Sequence, residues 1–134
     1  MTFFHEELIR RVEIKGVIRN TSPLRVGSRD AVDFTSTARV QLLKNSSGVP
    51  YIPGSTWKGV FRSTGEAIAR KRGLYTCTGL TKETCVDKIP NFQDLISSNV
   101  EEAKKVFWEK TCINCKVFGA QSVISAVYFF DSYP

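Results

Sequence analysis

PYIPGSTWKGVFR, residues 50–62, describes a rigid turn that opens into a helix. Two prolines fix backbone angles in the turn, and Gly54 permits a close backbone approach before Ser55, which suits the N-cap. The apolar periodicity continues to about Arg72, and Gly73 suits the position just after a helix end. The sequence therefore predicts one long helix, from about Ser55 to Arg72, that the chain enters from a fixed direction.

The predicted helix has two different faces. Lys58 and Arg62 follow Ser55 along one side, and no carboxylate occurs in the helix before Glu66. A helix start already carries the positive end of the dipole and unpaired N–H groups, so these cations add like charge to like. An anion bound there would resolve the conflict, and we predict phosphate. The other side is expected to be buried through Trp57, Val60, Phe61, Thr64 and Ile68.

Basic residues are concentrated in the first half of the chain. The net charge is +6 and the pI is about 9.3. Residues 1–75 contain 13 Lys and Arg against 6 Asp and Glu, whereas residues 76–134 contain 6 against 7. This distribution favours contact with a nucleic-acid backbone, and a solvated basic face is the alternative that charge alone leaves open.

The size and hydropathy of the chain limit its class. With 134 residues, of which 42% are hydrophobic, it can bury one core, so one domain is expected. The longest uncharged run, Val117–Phe130, has 14 residues and includes Gln and Ser, which is too short and too polar for a membrane span. The opening residues lack the apolar region of a signal sequence, which predicts a cytoplasmic protein. His5 is expected to be an ordinary surface residue.

Strands are predicted in three other segments. Apolar and polar residues alternate over Leu8–Arg19, Ala38–Leu43 can form a short strand, and Ser122–Asp131 is a final apolar strand. A second helix is predicted to begin at Asn99, with Glu102 in the capping-box position. It is expected to bury Ala103, Val106 and Phe107. This order of elements suits an α+β fold with an RRM-like core of the ferredoxin type.

Three further segments complete a recognisable set of motifs. Residues 21–28 read TSPLRVGS, residues 112–119 read CINCKVFG, and residues 127–131 read VYFFD. Together with the pattern PGSxxKGxxR at residues 53–62, they resemble elements of the RAMP superfamily, specifically the backbone subunits of type III CRISPR effector complexes. The elements occur in the order expected of that family and extend over most of the chain.

The resemblance also implies that the fold is incomplete. Family members are longer and close with a second βαβ-like half and a glycine-rich loop, whereas this chain stops at Pro134, after the strand that resembles their midpoint. Residues 1–134 are therefore expected to be the N-terminal portion of one RAMP-type domain, with an insertion at about 73–118. A half fold leaves a sheet edge unpaired, so we expect self-association or pairing with the remainder.

The four cysteines form two pairs, Cys77-x7-Cys85 and Cys112-x2-Cys115. Zinc prefers four soft ligands in a tetrahedron, and the second pair has the spacing of a zinc knuckle, so we predict a structural zinc site. Buried thiols and disulfides are the alternatives. The resemblance agrees, because zinc-binding insertions occur in these subunits. The zinc would fasten residues 73–98, which are otherwise poor in core residues, and four thiolates leave no position open for zinc chemistry.

The resemblance implies a function in RNA binding. The subunit would hold guide RNA by its phosphates, meet target RNA, and contact other subunits of the effector complex, with no role for a membrane. Phosphate contacts suit this task because they ignore base sequence. The residues predicted to contact RNA are Gly54, Ser55, Thr56, Lys58, Arg62, Arg25, Arg29 and Arg39.

Two alternatives to pure RNA binding remain open. Target-cleaving members carry an aspartate eleven or twelve residues before the first proline of a PxIPGS motif, which here is Pro50, so the corresponding residue is Arg39 or Ala38. The nearest carboxylates are Asp30 and Asp33, so a metal-dependent endoribonuclease would act through one of them, with Asp33 as the catalytic candidate and a divalent metal as cofactor. The third hypothesis is a zinc-stabilised protein-interaction module.

Overall fold

The computed structural model describes residues 10–28, 41–80 and 82–134. Within these residues the chain forms two compact units. The helical unit comprises residues 58–128, and the extended unit comprises residues 10–57 and 129–134. The boundary between the units falls inside one helix, and each unit is described by itself.

The long helix predicted from residues 50–62 is confirmed. Helix α1 spans Gly54–Lys71, within one residue of the expected bounds at each end. Gly73 has a positive φ of 75° and donates its N–H to the carbonyl of Arg70, while Leu74 donates to Ala69. These two bonds form a Schellman motif, in which glycine is favoured because the left-handed conformation has no Cβ penalty.

Three shorter helices complete the helical unit: α2, Phe92–Ser98; α3, Val100–Lys110; and α4, Ile113–Phe118. A single 3₁₀ turn covers Val86–Lys88. The predicted cap of α3 is confirmed, because the Asn99 side chain accepts the N–H of Glu102 at 3.1 Å. Among the described residues, no helix is long and apolar enough to cross a membrane.

The core of the helical unit is built around the cysteines. The buried cluster consists of Cys77, Cys85, Val86, Ile89, Phe92, Ile96, Ala103, Phe107, Cys112, Cys115 and Val123. Val106 packs against it while half-buried. Residues 73–98 therefore supply a substantial share of the core, which corrects the expectation that this segment is poor in core residues. Its apolar side chains are spaced irregularly across a 3₁₀ turn and a short helix, so no single periodicity marks them.

The buried face of α1 differs from the one predicted. Val60, Phe61 and Ile68 are 51%, 52% and 49% exposed, and Thr64 is exposed as well. The side that faces the helical unit instead carries Lys58, Arg62, Gly65, Glu66 and Ala69. Gly65 permits this packing, since a Cβ there would lie 3.0 Å from Asn114 and 3.4 Å from Phe118 on α4. Small residues and hydrogen bonds from Arg62, rather than the apolar stripe, hold this part of α1 in its unit.

The extended unit contains the sheet that the described residues form. Strands β1, Gly27–Ser28, and β2, Gln41–Leu42, pair antiparallel, with Gly27 opposite Leu42 and Ser28 opposite Gln41. Asn45 closes the turn that follows, because its side chain accepts the N–H groups of Ser47 and Val49. The ferredoxin-type sheet remains a prediction, since the described residues contain this two-stranded sheet.

Two of the predicted strands are absent from the described residues. Residues 10–19 have no regular secondary structure and are exposed, and residues 122–131 contribute only the isolated bridge of Val123 with Ala120. Of the predicted strand Ala38–Leu43, only Gln41–Leu42 is formed, and residues 38–40 lie outside the described residues. Alternation specifies a face, whereas a strand also needs a partner backbone for its hydrogen bonds.

Gly54 fixes how the last residues of the chain meet the turn before α1. Ile52 and Ser132 exchange two backbone hydrogen bonds of 3.0 and 2.9 Å, and the Trp57 indole donates to the Ser132 hydroxyl at 2.9 Å. A Cβ at Gly54 would overlap the carbonyl oxygen of Phe129. Only glycine therefore allows these two stretches of the extended unit to approach this closely.

Gly54→Ala is expected to destabilise the extended unit by about 1–3 kcal/mol, because backbone atoms must move to admit the methyl group. Hydrogen exchange over residues 50–54 and 129–134 measures this loss of protection. Gly59→Ala is the matched control. A Cβ there meets nothing within 4 Å, so it is expected to stabilise the helix by roughly 0.5–1 kcal/mol. Equal protection in both variants would contradict the close approach at Gly54.

Candidate metal centre and nucleic-acid interface

Four thiols converge in the core of the helical unit. The sulfur atoms of Cys77, Cys85, Cys112 and Cys115 all lie within 4.8 Å of one another, and all four residues are buried. Cys77 follows α1, Cys85 precedes the 3₁₀ turn, Cys112 is the N-cap of α4, and Cys115 lies within that helix. The sequence-predicted cluster is therefore assembled from three separate segments of the chain.

The geometry of the cluster fits a tetrahedral metal ion. The sulfur of Cys77 lies 3.3 Å from that of Cys115 and 3.7 Å from that of Cys112. Zinc–sulfur bonds of about 2.3 Å in a tetrahedron place the sulfurs about 3.8 Å apart, so a small expansion would accommodate the ion. The cysteines are free, so the disulfide alternative is not realised. Four buried soft donors at these distances could hold a metal ion.

The thiols influence one another's protonation. Burial raises the pKa of Cys85 to about 11, above its usual 9.0, and burial also raises the pKa of Cys115. Burial acts in the same direction on Cys112, but hydrogen bonds with the backbone and thiols of the other cysteines outweigh it and lower that pKa to about 7. Without a cation the thiols of Cys85 and Cys115 therefore retain their protons at neutral pH. A bound metal would displace them, which couples metal binding to proton release.

Arg62 lies against this cluster. Its Nη2 atom is 4.0 Å from the sulfur of Cys77 and 3.9 Å from that of Cys115. Nη1 donates to the carbonyl of Gly119 at 3.1 Å, and Nε pairs with Glu66 at 3.4 Å. Contact of Arg62 with RNA remains a prediction, and its guanidinium lies within the helical unit.

An aspartate lies at the start of α1 in the extended unit. The Asp131 carboxylate accepts the N–H of Gly54 at 2.8 Å. A carboxylate at this position satisfies an otherwise unpaired N–H and complements the positive end of the helix dipole. A carboxylate from a distant part of the chain therefore meets this helix start, although the helix itself has none before Glu66. A phosphate contact would thus depend on Lys58 rather than on the dipole.

Lys58 is held in the helical unit by a neutral partner. Its amine donates to the Ser125 hydroxyl at 3.0 Å, and that hydroxyl donates in turn to the carbonyl of Val127 at 2.8 Å. Among the described residues, no salt bridge involves Lys58, whose side chain is half-buried. The ammonium is thus positioned without being neutralised, and it keeps N–H groups beyond the one given to Ser125.

A comparison with known families shows the family to which the chain belongs. The model of the RAMP superfamily matches residues 17–134. The chain belongs to the RAMP superfamily. This superfamily is generally CRISPR-associated, and RAMP proteins generally bind RNA and other subunits of their complexes. A comparison with curated proteins gave no match.

In this RAMP protein, the structure separates the predicted site residues into groups. The cysteines and Arg62 come together in the helical unit, where Lys58 also lies. Ser55, Thr56 and Arg25 are exposed in the extended unit, where Gly54 is buried. The remaining residues lie outside the described residues: Arg29, Asp30, Asp33, Ala38, Arg39 and His5.

Sequence reasoning missed three residues of this RAMP protein. Ser125 fixes the Lys58 amine, Asp131 caps α1, and Gly79 makes room for Arg62. Asp131 is the last residue of the motif VYFFD. A carboxylate at the end of a family motif is a signal that its side chain makes a specific contact. Ser125 carries no comparable signal, because its partner lies 67 residues earlier in the chain.

Proposed function

We propose that this RAMP protein holds guide RNA by its phosphate backbone, as a backbone subunit of a type III CRISPR effector complex. The observation that carries the proposal is the Lys58 amine, which a hydroxyl positions and no carboxylate among the described residues neutralises. A positioned ammonium binds phosphate as a point charge. Contacts of this kind accommodate guides of any sequence.

Exposed residues of the extended unit are also proposed to contact RNA. Ser55 and Thr56 offer hydroxyl donors at the start of α1, and Arg25 offers a guanidinium in the extended unit. Gly54 serves the turn, because its N–H is already given to Asp131. We assign Arg29 and Arg39 to the same role because, like Arg25, they are basic residues that precede the Lys58 motif in the sequence. Target RNA would then pair with the guide rather than with these side chains.

The proposed metal is a structural zinc ion held by Cys77, Cys85, Cys112 and Cys115. Four thiolates would fill its coordination sphere, so zinc would supply folding energy and no chemistry. The three cysteine-bearing segments would be fastened together in the core of the helical unit. This assignment gives the metal no direct contact with RNA.

The exposed apolar side of α1 is proposed to meet protein. Val60, Phe61 and Ile68 are each about half exposed. Apolar residues grouped on one side of a helix are typical of an interface. We assign this side to contact with other subunits of the effector complex in the cytoplasm, and to self-association when the chain is alone.

A salt series in a filter-binding assay tests the proposed function. Affinity for two single-stranded RNAs of unrelated sequence is expected to fall steeply and equally with salt, because each phosphate contact releases counterions. The control is a neutral-backbone analogue of one RNA, which is expected to bind weakly at every salt concentration. Failure to bind RNA even at low salt, or strong preference for one sequence, would contradict backbone recognition.

The same RNAs, labelled and incubated with Mg²⁺ or Mn²⁺, test the nuclease alternative. We expect binding without cleavage, because Ala38 and Arg39 occupy the positions where target-cleaving relatives carry an acid. Cleavage that is lost in Asp33→Asn, or in Asp30→Asn, would establish an endoribonuclease instead. The variant of the two that keeps cleavage serves as the matched control.

A further inference from the structure

The Arg62 guanidinium is held in place beside the cysteine cluster. Its side chain is only 20% exposed, and contacts with the Gly119 carbonyl, Glu66 and two sulfurs occupy all three of its nitrogen atoms. We infer that Arg62 is the counter-charge of the metal centre, and that through it metal binding orders helix α1. The helix contributes no cysteine, so Arg62 provides its polar link to the centre.

The charge of a four-thiolate centre requires such a residue. Four thiolates outweigh the charge of a divalent ion, so the occupied site carries net negative charge inside the core. Buried charge is costly unless it is paired and hydrogen-bonded. Arginine remains protonated at any pH of interest and presents several N–H donors in a fixed plane. Its Nη2 lies 3.9 and 4.0 Å from two of the four sulfurs, within reach of N–H···S contact.

Two glycines shape the space that Arg62 occupies. Gly79 lies two residues after Cys77 and has a positive φ of 70°, and a Cβ there would lie 2.6–2.9 Å from the guanidinium. Gly119 follows α4, which carries Cys115, and its carbonyl accepts from Nη1 at 3.1 Å. Both glycines therefore belong to segments that the metal would fix. Metal binding should set the space and the acceptor that hold Arg62, and with them this part of α1.

This arrangement has a consequence for RNA binding that rests on the proposed function. Lys58 precedes Arg62 by one helical turn on the same side of α1. If Arg62 orders the helix in response to metal, metal binding also orders Lys58. The metal would then raise RNA affinity without touching the RNA.

The test compares Arg62→Gln with Arg70→Gln, which alters an arginine of the same helix that also pairs with Glu66 but is 56% exposed. Zinc affinity is measured by competition with a chromophoric chelator. We expect Arg62→Gln to weaken zinc binding by about 10- to 100-fold, the usual effect of losing an outer-shell partner. The zinc affinity of Arg62→Lys should lie between those of Arg62→Gln and the wild type, because lysine keeps the charge but lacks the planar set of N–H donors. Arg70→Gln should have the zinc affinity of the wild type.

Hydrogen exchange of the full chain, with and without zinc, tests the coupling. Zinc is expected to protect residues 58–71 in the wild type and in Arg70→Gln but not in Arg62→Gln, while residues 112–118 gain protection in all three. Should Arg62→Gln fail to fold, Gly79→Ala serves in its place, because it displaces the guanidinium without removing its charge. We expect it to weaken zinc binding and to lose the zinc-dependent protection of residues 58–71, as expected for Arg62→Gln. Wild-type zinc affinity in both variants, or equal protection of residues 58–71, would overturn the inference.

RNA affinity is measured separately on the same zinc-loaded and zinc-free samples. An increase in RNA affinity on zinc loading of the wild type, absent in Arg62→Gln, supports the full coupling. RNA that fails to bind in any sample counts against the proposed function alone, since the zinc and exchange measurements do not involve RNA. Zinc-independent RNA binding by the wild type would contradict the consequence for Lys58.

Discussion

Cys115→Ser is expected to abolish metal binding and unfold the helical unit. Cys115 is fully buried in the core, and the four ligands come from three separate segments of the chain that meet there. A structural zinc can supply on the order of 10 kcal/mol of folding free energy, comparable to the whole stability of a small domain. Removing the metal ion from the wild type with a chelator should therefore have the same effect as removing the Cys115 thiol.

Elemental analysis and far-UV circular dichroism measure these two outcomes. The purified wild type should contain one equivalent of metal and lose helical signal on treatment with a chelator. Ile113→Ser is the matched control, because Ile113 is exposed between two of the ligands and should retain both metal and helix. If Cys115→Ser keeps its helical signal and the chelator changes nothing, the four sulfurs are buried thiols and the metal assignment fails.

Local signals in the sequence were enough to predict the bounds of α1 and the start of α3. Gly73 ends α1 through its own left-handed conformation, and the Asn99 cap binds an N–H only three residues away. Both interactions involve neighbours in the chain, so residue type and spacing specify them. The cysteine cluster could be predicted for a related reason. Four cysteine thiolates can bind one metal ion only in a tetrahedral arrangement, so the four residues are expected to lie close together in the fold.

The buried face of α1 could not be predicted from periodicity. A stripe of apolar residues indicates which side a helix can bury, and Val60 and Ile68 obey that pattern while remaining about half exposed. The side that is buried depends on Arg62, whose carbonyl partner at Gly119 lies 57 residues away. Likewise, the carboxylate that caps α1 lies 77 residues beyond Gly54. Contacts at such separations follow from the folded arrangement and leave no local pattern.

The missing strands have a similar cause. Residues 10–19 alternate as a strand would, yet they carry no ladder of hydrogen bonds within the described residues. The alternation is a property of the segment, whereas the ladder is a property of two segments. Strands are therefore harder to predict from a local pattern than helices, because a helix satisfies its backbone hydrogen bonds internally and a strand needs a second segment.

Lys58→Ala is expected to reduce affinity for single-stranded RNA by about tenfold, corresponding to roughly 1.4 kcal/mol. The variant removes an ammonium that the Ser125 hydroxyl positions and that no carboxylate among the described residues neutralises. The loss should be equal for RNAs of unrelated sequence, because a phosphate contact carries no sequence information. The slope of log Kd against log salt concentration should also decrease in magnitude by about one, which corresponds to the loss of one phosphate contact. Filter binding over a range of salt concentrations measures both quantities.

Two variants separate the charge of Lys58 from its surroundings. Lys105→Ala removes an exposed lysine from α3 in the same unit, with the same change in net charge, and should leave both affinity and salt dependence close to the wild type. Ser125→Ala removes the hydroxyl and keeps the ammonium, so it should weaken binding less than Lys58→Ala does. This order follows only if the positioned charge binds the phosphate. Equal losses in Lys58→Ala and Lys105→Ala would show that net charge alone attracts RNA, and that α1 has no phosphate site.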